Sequence, residues 1–354
     1  MRRSRLSTVG GIGLLALVLS GCQLVEIDSA LTTFEPAGPF AQRIDDLFWM
    51  VFWIATVIFV LVQGALVVTM ILFRDRPNRK EPKQIHGNAK LEVVWTVIPA
   101  VILATVAVPT VSAVFDLTEC SDDAMVVEVI GHQWWFEYRY PEQGGFTTAN
   151  TMVIPTGEEV CATMTSEDVL HNFWVPALNG KRYLIPGQTT VLRLQADSDG
   201  EYWGHCAEFC GLSHSLMRAR VHSVPRPEFD AWAARQTEPA PVPEEGSPER
   251  EGYEVFAQYC TQCHAVDFAD NDSGVNDNIL EEPVFNGPNL THFADEYRTT
   301  FAGSALPEEG ESFDDALKRW IANPPNVKPG SFMPDLGLTE AEIDAVITWL
   351  KSNK

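Results

Sequence analysis

Basic residues are scarce in this chain: 25 Lys and Arg stand against 48 Asp and Glu, a formal net charge of −23 over 354 residues. Nucleic acids are held through clustered cations on their phosphates, so a nucleic-acid partner is excluded. Cysteine is rare too, with seven in all, and each of the seven can be given a task. No repeat region of the size a propeller requires is present. Methionine numbers eight, and only Met333 lies downstream of the stretch CTQCH at 260–264. Two runs, Leu47 to Phe73 and Val93 to Phe115, lack charge altogether.

Those charge-free runs each exceed the roughly 20 residues that cross a hydrocarbon core as a helix, and they predict two transmembrane helices. The loop between them, RDRPNRKEPKQIHGNAKLE, carries six Lys or Arg, whereas the segment from Cys22 to Asp46 carries only Arg43. The loop therefore belongs on the cytoplasmic side, and everything after Phe115 lies outside the cytoplasm. Ahead of the helices, MRRSR followed by GGIGLLALVL and SGC has the basic and short apolar regions of a secretory signal. Leu19-Ser20-Gly21-Cys22 resembles the bacterial lipobox, which predicts lipidation of Cys22 at the mature N-terminus, with plain signal cleavage as the alternative.

From Met125 the pattern changes to short β-rich stretches, MVVEVIG, WWFEYRY and TTVLRLQ, separated by Gly and Pro turns at sandwich spacing. The segment EPAPVPEEGSP, residues 238 to 248, reads as an extended, solvated linker. Residues 252 to 354 are helical in pattern and strongly acidic, with 18 Asp and Glu against 6 Lys and Arg.

CAEFCGLSHSLM, residues 206 to 217, sets two cysteines, a histidine and a methionine within a dozen positions, with His171 upstream. Zinc accepts Cys and His but rarely Met, whereas soft thiolate with thioether selects copper. One Cys with two His and a weak Met makes a blue-copper site. Two cysteines four apart on a tight loop can instead bridge two copper ions, each completed by one His and one weak ligand. A disulfide across CAEFC is the alternative. In the acidic segment, CTQCH is an attachment motif for c-type haem, in which Cys260 and Cys263 form thioethers and His264 supplies one axial nitrogen. Met333, in PGSFMPDLG, is the candidate for the other side, and His292, in NLTHFADEY, is its rival. Cys120 and Cys161 remain; both fall in the oxidising compartment, and their sequence separation leaves open whether they pair.

Together with the two apolar runs, the copper stretch resembles subunit 2 of the haem-copper cytochrome c oxidases over roughly residues 40 to 226, through the motif CxExCGxxHxxM. The resemblance implies a cupredoxin-like domain holding the binuclear centre CuA. Its side-chain ligands would be His171, Cys206, Cys210, His214 and Met217, with the backbone carbonyl of Glu208 as a sixth contact. The Glu208 carboxylate would reach a magnesium ion at the junction with subunit 1. GHQWWFEYRY is similar to the family's aromatic stretch and implies Trp134 as the residue through which electrons enter; an aromatic cluster packing a strand is the alternative. KLEVVWTVIP matches the start of the family's second helix and implies Glu92 as the carboxylate at the entrance of a proton channel. Phe136 stands where many members have a second Trp, and Tyr183 and Gln188 stand where many have Asp and Arg. SFMPDLGLTEAEIDAVITWLKS resembles the Met-Pro loop and closing helix of class I cytochromes c.

The expectation is thus a multi-domain chain. A lipoprotein signal occupies 1–21, and an N-terminal segment with a transmembrane hairpin occupies 22–115, its helices at about 47–73 and 93–115. A cupredoxin-like β-sandwich or barrel follows at 116–235, a linker at 236–250, and an all-α cytochrome c domain at 251–354. The resemblance implies subunit 2 of a caa-type oxidase: electrons pass from its haem c to CuA and on to the O2-reducing site of subunit 1, with protons pumped. Implied partners are subunit 1, other oxidase subunits, a cytochrome c or bc complex as donor, and the lipid of a bacterial inner membrane, with both soluble domains on the periplasmic face. A membrane-tethered electron shuttle, a copper carrier and a nitrous-oxide-reductase-like protein are the alternatives. Quinol as direct donor is disfavoured because quinol oxidases of the family lack the copper ligands present here.

Overall fold

The computed structural model describes residues 30–74, 84, 86–267, 287–295, 302 and 310–354. Cys22 and the leader before it lie outside the described residues. Helix α1 spans Pro39–Leu72, with Gly38 extended before it and Pro39 in its first turn, where a missing N–H costs nothing. Helix α2 spans Ala89–Asp116, its first N–H groups capped by the Asn88 side chain. Both are long and apolar enough to cross a membrane. The first begins well before its charge-free run because its opening turns are used for packing. Phe40 and Ala41 are buried, Ala41 N donates to the Leu178 carbonyl, and Ala37 exchanges backbone bonds with Ala177 and Asp197. At 34 residues the helix is about 51 Å long, more than a hydrocarbon core spans.

The hairpin is fastened to the soluble part at a second point. Arg193 donates to the Asp116 carbonyl at the end of α2, pairs through two nitrogens with the Glu159 carboxylate at 2.9 and 2.7 Å, and lies over the Phe40 ring at 4.5 Å. Burial pushes Glu159 up, but the Arg193 bonds outweigh it and hold the carboxyl below the usual range. A disulfide joins Cys120, just past α2, to Cys161.

Ten strands build the sandwich. One sheet has the order β3-β2-β1-β5-β8 and the other β4-β10-β9-β6-β7. The first comprises β1 (Met125–His132), β2 (Trp135–Arg139), β3 (Thr147–Ala149), β5 (Val160–Ser166) and β8 (Thr190–Leu194). The second comprises β4 (Thr151–Pro155), β6 (His171–Trp174), β7 (Arg182–Leu184), β9 (Gly200–Cys206) and β10 (Arg218–Val224). Alternation along the start of β1 turns Val127 and Val129 into the core between the sheets. Between the sheets Phe136 meets Phe173 edge to face at 5.3 Å.

Helix α3 (Arg226–Gln236) leads out of the sandwich. The C-terminal unit contains α4 (Pro248–Tyr259), α5 (Phe313–Ala322), the single turn α6 (Pro324–Val327) and α7 (Glu340–Leu350). A capping box of Thr339 and Glu342 starts α7. Helices α4 and α7 cross closely because position 252 is glycine: a Cβ there would come within 2.0 Å of the Ala345 carbonyl. The linker is exposed along most of its length, as an extended, solvated segment would be, but it is pinned at one point. Ala240 is 2% exposed within the helical core and donates to the Asp267 carbonyl, because its apolar residues find a groove to fill. The two soluble units touch: Trp232 and Gln236 of α3 both donate to Asp295, at 2.9 and 2.7 Å.

Candidate metal centre and haem cavity

The loop from Ala207 to Met217 closes an antiparallel pair, β9 with β10, and Cys206 N donates to the Met217 carbonyl across its base. Strand β6 pairs with β9, so that Phe173 lies opposite Cys206 and His171 falls beside the loop. Gly131 on β1 gives the imidazole room, since a Cβ there would sit 2.7 Å from the His171 ring. The donor atoms of His171, Cys206 and Cys210, all buried, lie within 4.8 Å of one another. Cys206 Sγ is 3.8 Å from Cys210 Sγ and 3.9 Å from His171 Nδ1. Cys210 Sγ is 3.6 Å from His214 Nδ1 and 3.9 Å from Met217 Sδ. The Glu208 carbonyl turns inward, 3.2 Å from Cys206 Sγ. The two sulfurs are unbonded. A soft, buried, converging donor set of this kind suits copper.

Electrostatics prepare the cluster. The hydrogen bond from Cys210 holds the Cys206 thiol well below its usual range, and the thiolate so formed pushes Cys210 up. Asp168 orients the imidazole by accepting from His171 Nε2 at 2.8 Å. Burial pushes Asp168 up, yet bonds from His171 and from the Val169 and Gln133 N–H groups hold it low. An outer carboxylate on a ligating histidine fixes the tautomer that presents Nδ1 to the metal.

The helical unit and the adjoining edge of the sandwich line a partly open apolar cavity of about 220 Å³. Its walls include Cys260, Cys263, His264, Met333, Phe256, Leu317, Trp320 and Val346, and from the sandwich Trp134, Trp135 and Asn150. His264 Nδ1 bonds the Pro288 carbonyl at 2.8 Å, an acceptor only, so this nitrogen carries the proton and the ring is fixed. Burial pushes Cys260 up to about 12, so its thiol stays neutral, the reverse of Cys206. Two neutral thiols, a fixed imidazole and a thioether around an apolar space fit a covalently bound haem. His292 does not line this cavity. Its ring nitrogens bond the Lys354 and Glu238 carbonyls at 2.8 and 3.0 Å.

Trp134 lies between the two places. Its Nε1 donates to the Cys210 carbonyl at 3.0 Å, and Gln133 Nε2 donates to the same oxygen at 2.6 Å. Its ring meets Gly330, where a Cβ would come within 2.6 Å of Cη2, and Gly330 has φ +83°, doubly requiring glycine. Next to it, the Pro329 carbonyl accepts from Ser213 Oγ at 2.6 Å.

Other residues singled out in the sequence are placed as follows. Glu92 sits in the first turn of α2, where its carboxylate accepts from the Asn88 N–H at 3.3 Å. The Glu208 carboxylate pushes the pKa of the exposed Tyr183 hydroxyl up. Phe136 is fully buried. Asp168, Gln133, Phe332 and Lys328 were not anticipated. For Asp168 the signal was its position three residues before His171, and for Phe332 its place directly before Met333.

A sandwich with a thiolate-imidazole cluster, two apolar helices before it and a haem-type cavity after it defines a membrane-bound electron-transfer protein. Sequence profiles for the cytochrome c oxidase subunit II transmembrane domain match residues 28–113, for its periplasmic domain residues 143–224, and for cytochrome c residues 249–354. The chain belongs to the cytochrome c oxidase subunit II family and carries a cytochrome c domain. Cytochrome c oxidase subunit 2 of Alkalihalophilus pseudofirmus is 35% identical over 352 residues, covering 97% of this chain and 96% of the relative. The protein of the same name from Bacillus sp. PS3 is 35% identical over 361 residues, with the same coverage. The crystal structure of the periplasmic domain of subunit II from Bradyrhizobium japonicum is 28% identical, covers 33% of this chain and 95% of its own, and gives a TM-score of 0.32. The chain is thus an oxidase subunit, with copper and haem implied by its domains, two apolar helices and an extracellular domain.

Proposed function

We propose that this chain takes electrons at its cytochrome c domain, passes them by way of Trp134 to a binuclear CuA centre, and hands them to the O2-reducing, proton-pumping subunit 1. The observation that carries this reading is the double placement of Trp134, which walls the haem cavity and is hydrogen-bonded to the copper loop at Cys210. The division into a signal at 1–21, hairpin at 22–115, CuA domain at 116–235, linker at 236–250 and cytochrome domain at 251–354 belongs to the same proposal.

His171, Cys206, Cys210, His214 and Met217 would hold two copper ions, with the Glu208 carbonyl completing the set. Cys260 and Cys263 would attach haem c, with His264 and Met333 as axial ligands. Met333 is favoured because it lines the cavity with His264, while both nitrogens of His292 are bonded elsewhere. Both groups supply one-electron carriers whose charge is spread over a rigid frame. The protein does the rest. Bonds from Trp134 and Gln133 fix the Cys210 carbonyl, and Asp168 orients His171. The apolar cavity wall suits a haem face, and the tether keeps the donor domain near the acceptor at an effective concentration of about millimolar.

Glu92 would stand at the entrance of a proton channel into subunit 1, and the Glu208 carboxylate would reach a magnesium ion at the same junction. Partners would be subunit 1, further oxidase subunits and a cytochrome c or bc complex as donor. The setting would be a bacterial inner membrane, with Cys22 as a lipid anchor. In the assembled oxidase, rapid photoreduction of haem c should be followed by its re-oxidation in step with loss of the near-infrared band of CuA. Haem c that stays reduced while CuA stays oxidised would refute the reading.

A further inference from the structure

Lys328 is 5% exposed and lines the cavity between the two domains. Its ammonium nitrogen donates to the Trp134 carbonyl at 2.5 Å, across 194 positions of sequence, and to the Ala302 carbonyl at 2.6 Å. Among the described residues no carboxylate pairs with it. Lysine is almost never fully buried without an anionic partner, because desolvating an ammonium is costly. Here burial pushes its pKa down to about 7. An apolar side chain would fill the wall without that cost.

What the ammonium does that an apolar chain could not is join two backbones. One carbonyl belongs to the sandwich and the other to the helical unit. Hydrogen bonds to both from a side chain only 5% exposed break together if either domain shifts. The segment from Lys328 to Met333 makes the rest of the contact. Pro329 accepts from Ser213, Gly330 abuts the Trp134 ring, and Phe332 stacks on it.

We propose that Lys328 is a positioning residue, a buried hydrogen-bonding pin that locks the cytochrome domain onto the Trp134 backbone in electron-transfer register. This rests on the functional reading above. A pinned donor transfers electrons without domain motion, whereas an unpinned one must search for its docking pose, and the cost of an ångström of misplacement is steep.

The test compares the whole oxidase complex with its Lys328→Met variant, after haem c content and the CuA near-infrared band show both centres intact. Transfer from photoreduced haem c to CuA should slow by about tenfold or more in the variant. It should also become dependent on glycerol viscosity, while the unaltered complex stays independent of it. Transfer in Lys328→Met at the unaltered rate and without viscosity dependence overturns the pin. Absence of transfer in the unaltered complex is a different result, which refutes the functional reading itself. If the variant does not load haem, amine footprinting of the unaltered complex decides. Labelling of Lys328 at least tenfold below Lys351 supports burial at the interface, and equal labelling overturns it.

Discussion

The Trp134 indole lies almost parallel to the Phe332 ring, with centroids 6.4 Å apart and planes within 9°. Phe332 directly precedes Met333, so the aromatic pair places the copper loop and the thioether one covalent step from a shared stack. Trp134→Leu should slow haem-to-CuA transfer by about tenfold or more with both chromophores intact, and Phe332→Leu should slow it less, because only one side of the stack is lost. Flash photoreduction measures both. Unchanged rates in Trp134→Leu would remove this residue from the path.

Met217 is fully buried with its sulfur toward Cys210. Met217→Leu should keep copper but change the potential and the sharing of valence between the ions, because a weak soft ligand tunes redox asymmetry. EPR and near-infrared spectra read the change. An unaltered signature would take Met217 off the ligand set.

Met333→Ala should abolish the weak sulfur-to-iron band at the red end of the ferric spectrum and lower the haem potential, since thioether ligation raises it. Persistence of the band would show that another group ligates the iron.

Cys120 and Cys161 are bridged, closing a separation of 41 residues. Alkylation of unreduced protein followed by mass spectrometry should label neither. Cys120→Ser with Cys161→Ser should destabilise the sandwich by roughly 4 kcal/mol on the loop-entropy account. Quantitative alkylation of both thiols would contradict the bridge.

Glu159 has a folded-state pKa held below its unfolded value by Arg193. A carboxylate of this kind adds stability above its unfolded pKa and loses it as pH falls through the folded one. Acid should therefore destabilise the unaltered chain more than Arg193→Met, with the gap between their melting curves closing below about pH 4. A gap that stays constant from pH 7 to pH 3 would mean that the pair carries no linkage.

Much of this was legible in the sequence because its signals are local. The copper loop is one turn between paired strands, so five donors sit within a short span, and CTQCH is contiguous. The charge-free runs marked the helices, yet α1 starts at Pro39 because the packing of Phe40 and Ala41 on the sandwich has no hydropathy signature. The anchoring of the linker at Ala240 was missed for a related reason. Ala240 and Val242 are too few to register as apolar, and only the tertiary groove makes use of them. The Cys120–Cys161 bridge required proximity, which spacing does not encode. Lys328 was illegible for the strongest reason: a lone lysine reads as surface, and its partner carbonyls lie far away in sequence.

Trp135 and Asn150 of the sandwich complete one wall of the cavity in the helical unit. Solvent dipoles that must reorient when charge arrives are a major part of the barrier to electron transfer. Covering that side with a neighbouring domain leaves fewer of them to respond. The cytochrome domain severed from the sandwich would face bulk water there, and each oxidation or reduction would drag a larger polarisation of solvent with it. On the proposed electron path the second domain would thus be more than a destination for the electron, because it would lower the reorganisation needed for the electron to leave.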